Sequence, residues 1–197
     1  NISIIENDIL HNTFGICNIL DGINLNFSLN TASYNGDHML IQWVNHSYYL
    51  NNIITNTGGS AMTIDRAKEN IISGNTLSNN EENGIYFISG SIDNEVHQNT
   101  INNNNEYGIK IKDSSYNNIT YNVLYYNQAG AYVEEGDSHD NILEPNTIKN
   151  LPTGDDDDDD DDDGSGSEGD WLNQYWWIFL VIGAVAVVGG LGIVKVK

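Results

Sequence analysis

Apolar residues recur along this chain at fixed distances from asparagine. Around Asn75, one apolar residue lies three places before the asparagine and another lies two places after it. The same arrangement surrounds Asn99 and Asn122, so the pattern repeats every 22 to 24 residues. A repeat of this length predicts a solenoid, in which each copy forms one coil, or rung, of the chain.

The repeat can be followed through seven rungs. Its asparagine occurs at Asn7, Asn30, Asn52, Asn75, Asn99, Asn122 and Asn146. The residues three places before it are Ile4, Phe27, Tyr49, Ile72, Val96, Ile119 and Leu143, and those two places after it are Ile9, Ala32, Ile54, Leu77, Ile101, Leu124 and Ile148. A second asparagine, five places after the first, is kept at Asn12, Asn35, Asn80, Asn104 and Asn127. Stacked rungs pair their strands in register at about 4.8 Å, so both apolar columns are predicted to point into one shared core.

The corners of the rungs are predicted from asparagine and glycine. We expect the repeated asparagines to adopt turns with positive φ and to hydrogen-bond their counterparts one rung away. Glycine opens a short strand at Gly15, Gly84, Gly108 and Gly130, and these positions are also expected to have positive φ. In the second rung the strand around residues 38–43 lacks this glycine, and the sequence does not fix its inward side.

The motif Asn-x-Ile-x-x-Asn-x-Ile, followed by Gly-Ile-x-Ile, resembles a known family. It is similar to the right-handed parallel β-helix repeats of carbohydrate-binding proteins and sugar hydrolases, which include copper-associated periplasmic proteins of the NosD type and many archaeal surface proteins. The resemblance implies an all-β, right-handed parallel β-helix of about seven rungs. This fold hosts lyases, hydrolases, adhesins and scaffolds alike, so it says little about function.

Composition divides the chain into three parts. Residues 1–152 form the predicted β-helix, and because the sequence opens inside a rung, we expect them to be the C-terminal portion of a longer solenoid. Residues 153–174 include nine consecutive aspartates, Asp155 to Asp163, among glycine and serine. Such a segment predicts a disordered acidic spacer, which attracts Ca²⁺ or Mg²⁺ diffusely and lacks the ligand spacing of a specific calcium loop.

Residues 175–197 predict a single transmembrane helix. Residues 177–194 carry no charge and would span about 27 Å as a helix. Trp176 and Trp177 flank the apolar stretch on one side, and Lys195 and Lys197 on the other, which indicates a cytoplasmic C-terminus. The predicted location is therefore the cell membrane, with the β-helix outside the cell. On that side four asparagines match the N-glycosylation pattern, Asn1, Asn26, Asn45 and Asn118, and the last three are the candidate sites.

Charge and sulfur content narrow the choice of partners. The net charge is −21 and the chain contains seven lysines and arginines, too few to bind nucleic acid through its phosphates. Cys17 is the only cysteine, which rules out an intrachain disulfide. Met39, Met62 and the five histidines share no common column in the sequence frame, so we predict no metal site and no cofactor, although the resemblance implies copper as an alternative.

The glycine-opened strands supply the candidate binding residues. If Ile85 and Ile109 point inward, alternation places Tyr86, Lys110 and Tyr132 in one outward column. The next outward column contains Asp65, Ile88, Lys112 and Glu134. Aromatic rings beside charged groups suit a sugar, so the predicted ligand-binding residues are Tyr86, Lys110, Lys112, Tyr132 and Glu134. The alternative is that they are ordinary ladder residues on a solvated sheet.

The predicted function is a glycan-binding or structural scaffold at the cell surface, tethered to the membrane and without turnover. Its partner would be an extracellular polysaccharide or a surface-layer glycoprotein. A polysaccharide lyase or glycoside hydrolase remains the alternative, with its site here or upstream. The weak catalytic candidates are Asp65, Arg66 and Glu134, because catalysis needs acidic and basic groups that converge on one cleft.

Overall fold

A computed structural model describes residues 2–149, which form a right-handed parallel β-helix. In chain order the strands are β1 (Ile2–Ile5), β2 (Asp8–Leu10), β3 (Cys17–Leu20), β4 (Leu25–Ser28), β5 (Thr31–Ser33), β6 (Met39–Gln42), β7 (Tyr48–Leu50), β8 (Ile53–Thr55), β9 (Met62–Asp65), β10 (Ile71–Ser73), β11 (Thr76–Ser78), β12 (Ile85–Ile88), β13 (Glu95–His97), β14 (Thr100–Asn102), β15 (Tyr107–Lys112), β16 (Asn118–Thr120), β17 (Val123–Tyr125), β18 (Gly130–Glu135) and β19 (Thr147–Lys149).

The strands form three parallel sheets, and each rung contributes one strand to each sheet. Sheet A contains β1, β4, β7, β10, β13 and β16; sheet B contains β2, β5, β8, β11, β14, β17 and β19; sheet C contains β3, β6, β9, β12, β15 and β18. The predicted fold class is confirmed. Residues 2–149 form six complete rungs and the sheet B strand of a seventh.

The two predicted apolar columns form the core. Ile72 pairs with Val96, and Val96 pairs with Ile119, in register along sheet A, and all three side chains are fully buried. Leu77, Ile101 and Leu124 form the equivalent column in sheet B. Burying each such side chain contributes about 1.5–3 kcal/mol, and a rung obtains this burial only from its neighbours in the stack.

Asparagine ladders form at the corners, but the predicted backbone conformation is wrong. The asparagines bond one rung onward, as in the 2.9 Å bond from Asn75 Nδ2 to Asn99 Oδ1. Positive φ belongs to the residue before each asparagine, as at Gly74 (φ 68°), Gln98 (φ 58°) and Tyr121 (φ 57°). The left-handed residue turns the chain between two sheets, and the amide that follows it enters the bend and bonds to the neighbouring rung.

A third ladder, which the sequence frame did not include, lies between sheets C and A. It contains Ser47, Asn70, Asn94, Asn117 and Asn141, five places before the first ladder in each rung. Three corners per rung are therefore held by side-chain amides or hydroxyls that bond to the next rung.

The strand-opening glycines are required by close packing more than by φ. Among the four predicted positions, Gly130 alone has positive φ, at 134°. A Cβ atom at Gly84 would lie 2.2 Å from Ile101 Cγ2, and one at Gly108 would lie 2.6 Å from the carbonyl oxygen of Ala131. These glycines let neighbouring backbones and core side chains approach where a methyl group would not fit.

Two predicted parts of the chain, the spacer at 153–174 and the membrane anchor at 175–197, lie outside the described residues. Across residues 2–149, no helix has the length and apolar character needed to cross a membrane.

Candidate functional site

Charged and aromatic side chains gather on the outward side of sheet C. The register places them in two columns, Leu40, Thr63, Tyr86, Lys110 and Val133 in the first, and Gln42, Asp65, Ile88, Lys112 and Glu135 in the second. At the corner beside the second column lie Trp43 and Arg66, both with positive φ. We call these twelve residues the sheet C face. Five strands about 4.8 Å apart make it an extended, ribbed surface about 19 Å long.

Three of the five predicted ligand-binding residues lie on this face, and two do not. Tyr86, Lys110 and Lys112 occupy their predicted places. The prediction for β18 is wrong by one residue, because Tyr132 pairs with Ile109 and Tyr132 packs against the core.

The one-residue error arises at the turn before β18. The sequence frame matched Gly130 with Gly108, whereas the structure places Ala131 beside Gly108. Glu134 therefore pairs with Ile111, away from the sheet C face, where it is exposed and its Oε1 accepts a 2.7 Å hydrogen bond from Asn141 Nδ2. Glu135 takes the outward place that had been assigned to Glu134.

Lys110 lies at the centre of the first column. Its Nζ atom is 5.7 Å from the ring centroid of Tyr86 and 6.0 Å from that of Tyr107, distances at which a cation is attracted to the ring faces. Glu135 Oε1 lies 3.4 Å from the same Nζ. The side chain is 20% exposed, so the ammonium group is held by its neighbours and still reaches solvent.

Asp65 and Arg66 form the second polar centre of the sheet C face. Asp65 is only 5% exposed, and Arg66 Nη1 lies 3.1 Å from each of its two carboxylate oxygens. Gln42 Nε2 donates a further hydrogen bond to Asp65 Oδ2. The Arg66 guanidinium carbon lies 5.6 Å from the ring centroid of Trp43. The carboxylate is thereby fixed in place, while the Arg66 side chain remains 47% exposed.

The weak catalytic candidates do not converge. Asp65 and Arg66 are neighbours, but Asp65 lies on β9 and Glu134 on β18, three rungs away, or about 14 Å. Paired carboxylates of glycosidases lie about 5–9.5 Å apart, so Asp65 and Glu134 do not form such a pair.

Sequence reasoning missed four residues of this region: Gln42, Trp43, Tyr107 and Glu135. Glu135 was within reach, because counting four residues from Asn104 and from Asn127 matches Gly108 with Ala131 and gives the correct register. Gln42 and Trp43 follow a strand whose inward side the sequence left open. Trp43 is 45% exposed, which is unusual for a ring of that size.

The histidines do not form a metal centre. Within residues 2–149, no three or more His, Cys, Asp or Glu side chains come together in a way that would hold a metal ion. His46 Nδ1 instead lies 2.6 Å from Glu69 Oε2, and His139 Nδ1 lies 2.9 Å from Asp140 Oδ2.

The prediction that Met39 and Met62 share no column is wrong. Met39 pairs with Met62 in register, and Cys17 pairs with Met39, so the three side chains follow one another along sheet C. The sequence alone did not give this column because the strand of the second rung lacks its opening glycine.

The three glycosylation candidates differ in accessibility. Asn118 is exposed on the outward side of sheet A. Asn26 and Asn45 are half-buried, and Asn45 Oδ1 accepts a 3.0 Å hydrogen bond from the backbone N–H of Lys68. Asn118 is therefore the most accessible of the three.

Comparison with known proteins gives one family and several structural neighbours. A family model described as periplasmic copper-binding protein (NosD) matches residues 1–163. Among the curated proteins, none matches this sequence.

The structural neighbours include two epimerases. The A-module of the Azotobacter vinelandii mannuronan C-5 epimerase AlgE6 has a TM-score of 0.58 at 16% identity, over 68% of this chain and 42% of that one. The periplasmic alginate epimerase AlgG has a TM-score of 0.52 at 16% identity, over 76% of this chain and 50% of that one. This chain thus spans about half the length of these neighbours, and identities this low establish the shared fold alone.

Proposed function

We propose that this chain, which belongs to the NosD family described as periplasmic copper-binding proteins, binds extended acidic glycans along its sheet C face. The family description also makes copper a candidate ligand. Binding a long polymer suits a solenoid, because each rung adds another row of side chains to the same face.

The position of the cations carries this proposal. The sequence has a net charge of −21, yet three of the five lysines and arginines in residues 2–149 lie on the sheet C face: Arg66, Lys110 and Lys112. The other two are Lys68 and Lys149, which lie elsewhere. A local group of cations on an otherwise acidic protein favours a ligand that carries its own negative charge, such as a sugar with a carboxylate or sulfate group.

The aromatic rings supply the other half of sugar recognition. Trp43 lies against Arg66 and Tyr86 lies against Lys110, so each ring has a cation beside it. The apolar face of a sugar ring packs on such an aromatic surface, while its anionic and hydroxyl groups meet the guanidinium or ammonium group. The names of the fold neighbours, a mannuronan epimerase and an alginate epimerase, support the choice of an acidic polysaccharide as ligand class.

The test is retention of the protein on immobilised polyuronate, with a neutral glucan as the comparison. We expect retention on polyuronate that decreases as salt is raised, because exposed charges are screened within about 10 Å at 0.1 M salt. Lys110→Ala should weaken retention at least tenfold. Lys68→Ala is the matched control, since it removes the same charge away from the face and should change little. Equal retention of both variants, or equal retention on the neutral glucan, would refute the proposal.

A second candidate function is catalysis on the same polymer, as a lyase or hydrolase. Asp65 favours it, because a carboxylate that is 5% exposed and fixed by Arg66 and Gln42 is positioned to stabilise charge on a bound sugar. Incubation with polyuronate followed by assays for new reducing or unsaturated ends separates the two functions. Binding predicts retention without new ends, and catalysis predicts new ends that Asp65→Asn abolishes.

Tethering to the membrane belongs to the same proposal. Residues 175–197 would anchor the chain, with the β-helix on the outer side. Membrane fractionation should find the full chain in the membrane pellet and a chain ending at residue 174 in the soluble fraction. Recovery of both in the same fraction would contradict the anchor.

A further inference from the structure

The outward side of sheet B carries no charge over five consecutive rungs. It is formed by residues 29–34, 51–56, 74–79, 98–103 and 121–126, which are strands β5, β8, β11, β14 and β17 with their adjoining corner residues. We call the outward side chains of these thirty residues the sheet B face. None of the thirty is Asp, Glu, Lys, Arg or His, whereas the rest of residues 2–149 contains 22 Asp, Glu, Lys and Arg residues. On a chain with a net charge of −21, this side is set apart from the rest of the surface.

Apolar and hydroxyl-bearing side chains occupy the sheet B face instead. The register aligns one outward column in which every side chain is β-branched: Thr31, Ile53, Thr76, Thr100 and Val123. Three larger side chains at the corners, each at least 50% exposed, add apolar surface: Leu29, Tyr34 and Tyr121. β-Branched side chains are stiff at χ1, so they lose little freedom when a partner covers them.

Charged side chains return at the two ends of the sheet B face. Glu6 and Asp8 lie in the rung before it, and Lys149 lies in the rung after it. Protein–protein interfaces have this anatomy, because charged residues are depleted at their centre, tyrosine is enriched and the rim is polar. The sheet B face therefore has the composition of a protein-binding surface, whereas the sheet C face has Lys110 at its centre.

We propose that the sheet B face pairs with the same face of a second copy of this chain, as a dimer with two-fold symmetry. Both copies are strongly acidic, and opposed like charges are unfavourable at an interface, so a charge-free face is where the two can meet. Both copies also have the same rung repeat of about 4.8 Å, so the ridges of one face can lie in the grooves of the other along all five rungs. In a two-fold dimer each copy uses the same patch, and a shared repeat lets that patch match itself.

The size of the sheet B face predicts a weak and reversible dimer. Five rungs at about 4.8 Å and a width of six residues at about 3.3 Å give about 480 Å² per copy. The pair would bury about 960 Å² in total, close to the roughly 1,000 Å² at which specific interfaces begin. Pairing should therefore depend on protein concentration.

Pairing through sheet B is independent of glycan binding, because the proposed glycan-binding residues lie on sheet C. A dimer leaves both sheet C faces free to engage one long polymer. Raising the salt concentration should strengthen pairing, since salt screens the repulsion between two acidic copies, whereas it should weaken retention on polyuronate. These opposite salt dependences distinguish failure of one proposal from failure of the other.

The test is sedimentation equilibrium of the full chain at increasing protein concentration, in a neutral, density-matched detergent that keeps the apolar C-terminal stretch dispersed. We expect the mass to rise from that of one chain to that of two. Thr100→Lys and Val123→Lys each place a cation on the sheet B face and should raise the dissociation constant at least tenfold. Because each variant is less acidic, general electrostatics would strengthen pairing, so weakening is specific to the face. Asn118→Lys is the matched control, since it adds the same charge on the exposed side of sheet A and should not weaken pairing.

Circular dichroism of each variant establishes that it is folded. Val123 is more exposed than Thr100, so Val123→Lys decides the outcome if Thr100→Lys disturbs the fold. Three results would overturn the proposal: the mass of one chain at every concentration, pairing unchanged in the folded face variants, or equal weakening by Asn118→Lys. A neutral glucan that shields Tyr34 and Tyr121 from hydroxyl radicals, on a chain that stays monomeric, would identify a glycan as the occupant and would also overturn it.

Discussion

Asn99 is the residue whose replacement tests the asparagine ladder most sharply. Its side chain is fully buried and makes five hydrogen bonds. The two hydrogens of Nδ2 are shared among three acceptors, the carbonyl oxygens of Ile72 (2.9 Å) and His97 (3.1 Å) and Asn122 Oδ1 (2.9 Å). Oδ1 accepts from the backbone N–H and the Nδ2 of Asn75, both at 2.9 Å. One side chain therefore joins three consecutive rungs.

The cost of Asn99→Ala follows from the groups that it leaves unpaired. The backbone N–H of Asn75 loses the acceptor it has in the ladder, and an unsatisfied buried donor costs about 1–3 kcal/mol. The space left by the amide adds about 1 kcal/mol. We therefore expect a loss of about 2–4 kcal/mol in the free energy of unfolding, in the range of the large single-residue effects.

Urea unfolding, followed by far-ultraviolet circular dichroism, measures this loss. With a slope of about 2 kcal/mol per molar urea, in the middle of the usual range, the midpoint should fall by about 1–2 M. Asn105→Ala is the control, because Asn105 is exposed and accepts one bond, from Gln128 Nε2 at 3.1 Å. It should change stability by no more than about 0.5 kcal/mol. The reasoning fails if both variants unfold at the same urea concentration.

Three further predictions concern packing, the buried thiol and modification. Gly108→Ala should lower the free energy of unfolding by about 1–3 kcal/mol, because the added Cβ would lie 2.6 Å from a backbone carbonyl oxygen. Gly90→Ala is the control, since its Cβ would meet nothing within 4 Å and the variant has only the strain of φ +86°. Thermal unfolding should therefore show a smaller loss of stability for Gly90→Ala than for Gly108→Ala. Burial raises the pKa of Cys17 from 9.0 to about 11, so alkylation of the folded protein should accelerate over that interval. The contribution of the buried thiol to the free energy of unfolding is complete below pH 9.0 and should decline as the pH rises through about 11, because the unfolded chain loses this proton first. In a glycosylating host, peptide mapping should find Asn118 occupied and half-buried Asn45 empty, and the reverse pattern would contradict the accessibility argument.

The fold could be predicted because each rung repeats the same chemistry. The column that runs through Ile72, Val96 and Ile119 needs no knowledge of the turns, since the distance from each ladder asparagine is constant. The position of the left-handed residues could not be predicted in the same way. Asparagine tolerates positive φ, but in this fold Tyr121 and Gln98 adopt it and the asparagine that follows makes the ladder bond.

The candidate site was harder to predict than the core, because it depends on register at single-residue resolution. Side chains alternate along a strand, so a turn that is one residue shorter exchanges inside and outside. Met39 lies four residues after Asn35, whereas Cys17 lies five residues after Asn12, and yet the two pair. Only the three-dimensional pairing reveals the sulfur column, whereas the outward position of Glu135 follows from counting residues from Asn104 and from Asn127.

Hydroxyl-radical footprinting with and without bound polyuronate tests the central claim, that the sheet C face is the glycan-binding surface. The account predicts that bound polymer protects Trp43 and Tyr86 from oxidation. Tyr48 and Tyr121, which are 46% and 67% exposed and lie away from this face, should be oxidised equally with and without polymer. Protection of Tyr48 or Tyr121, with Trp43 and Tyr86 unprotected, would contradict it.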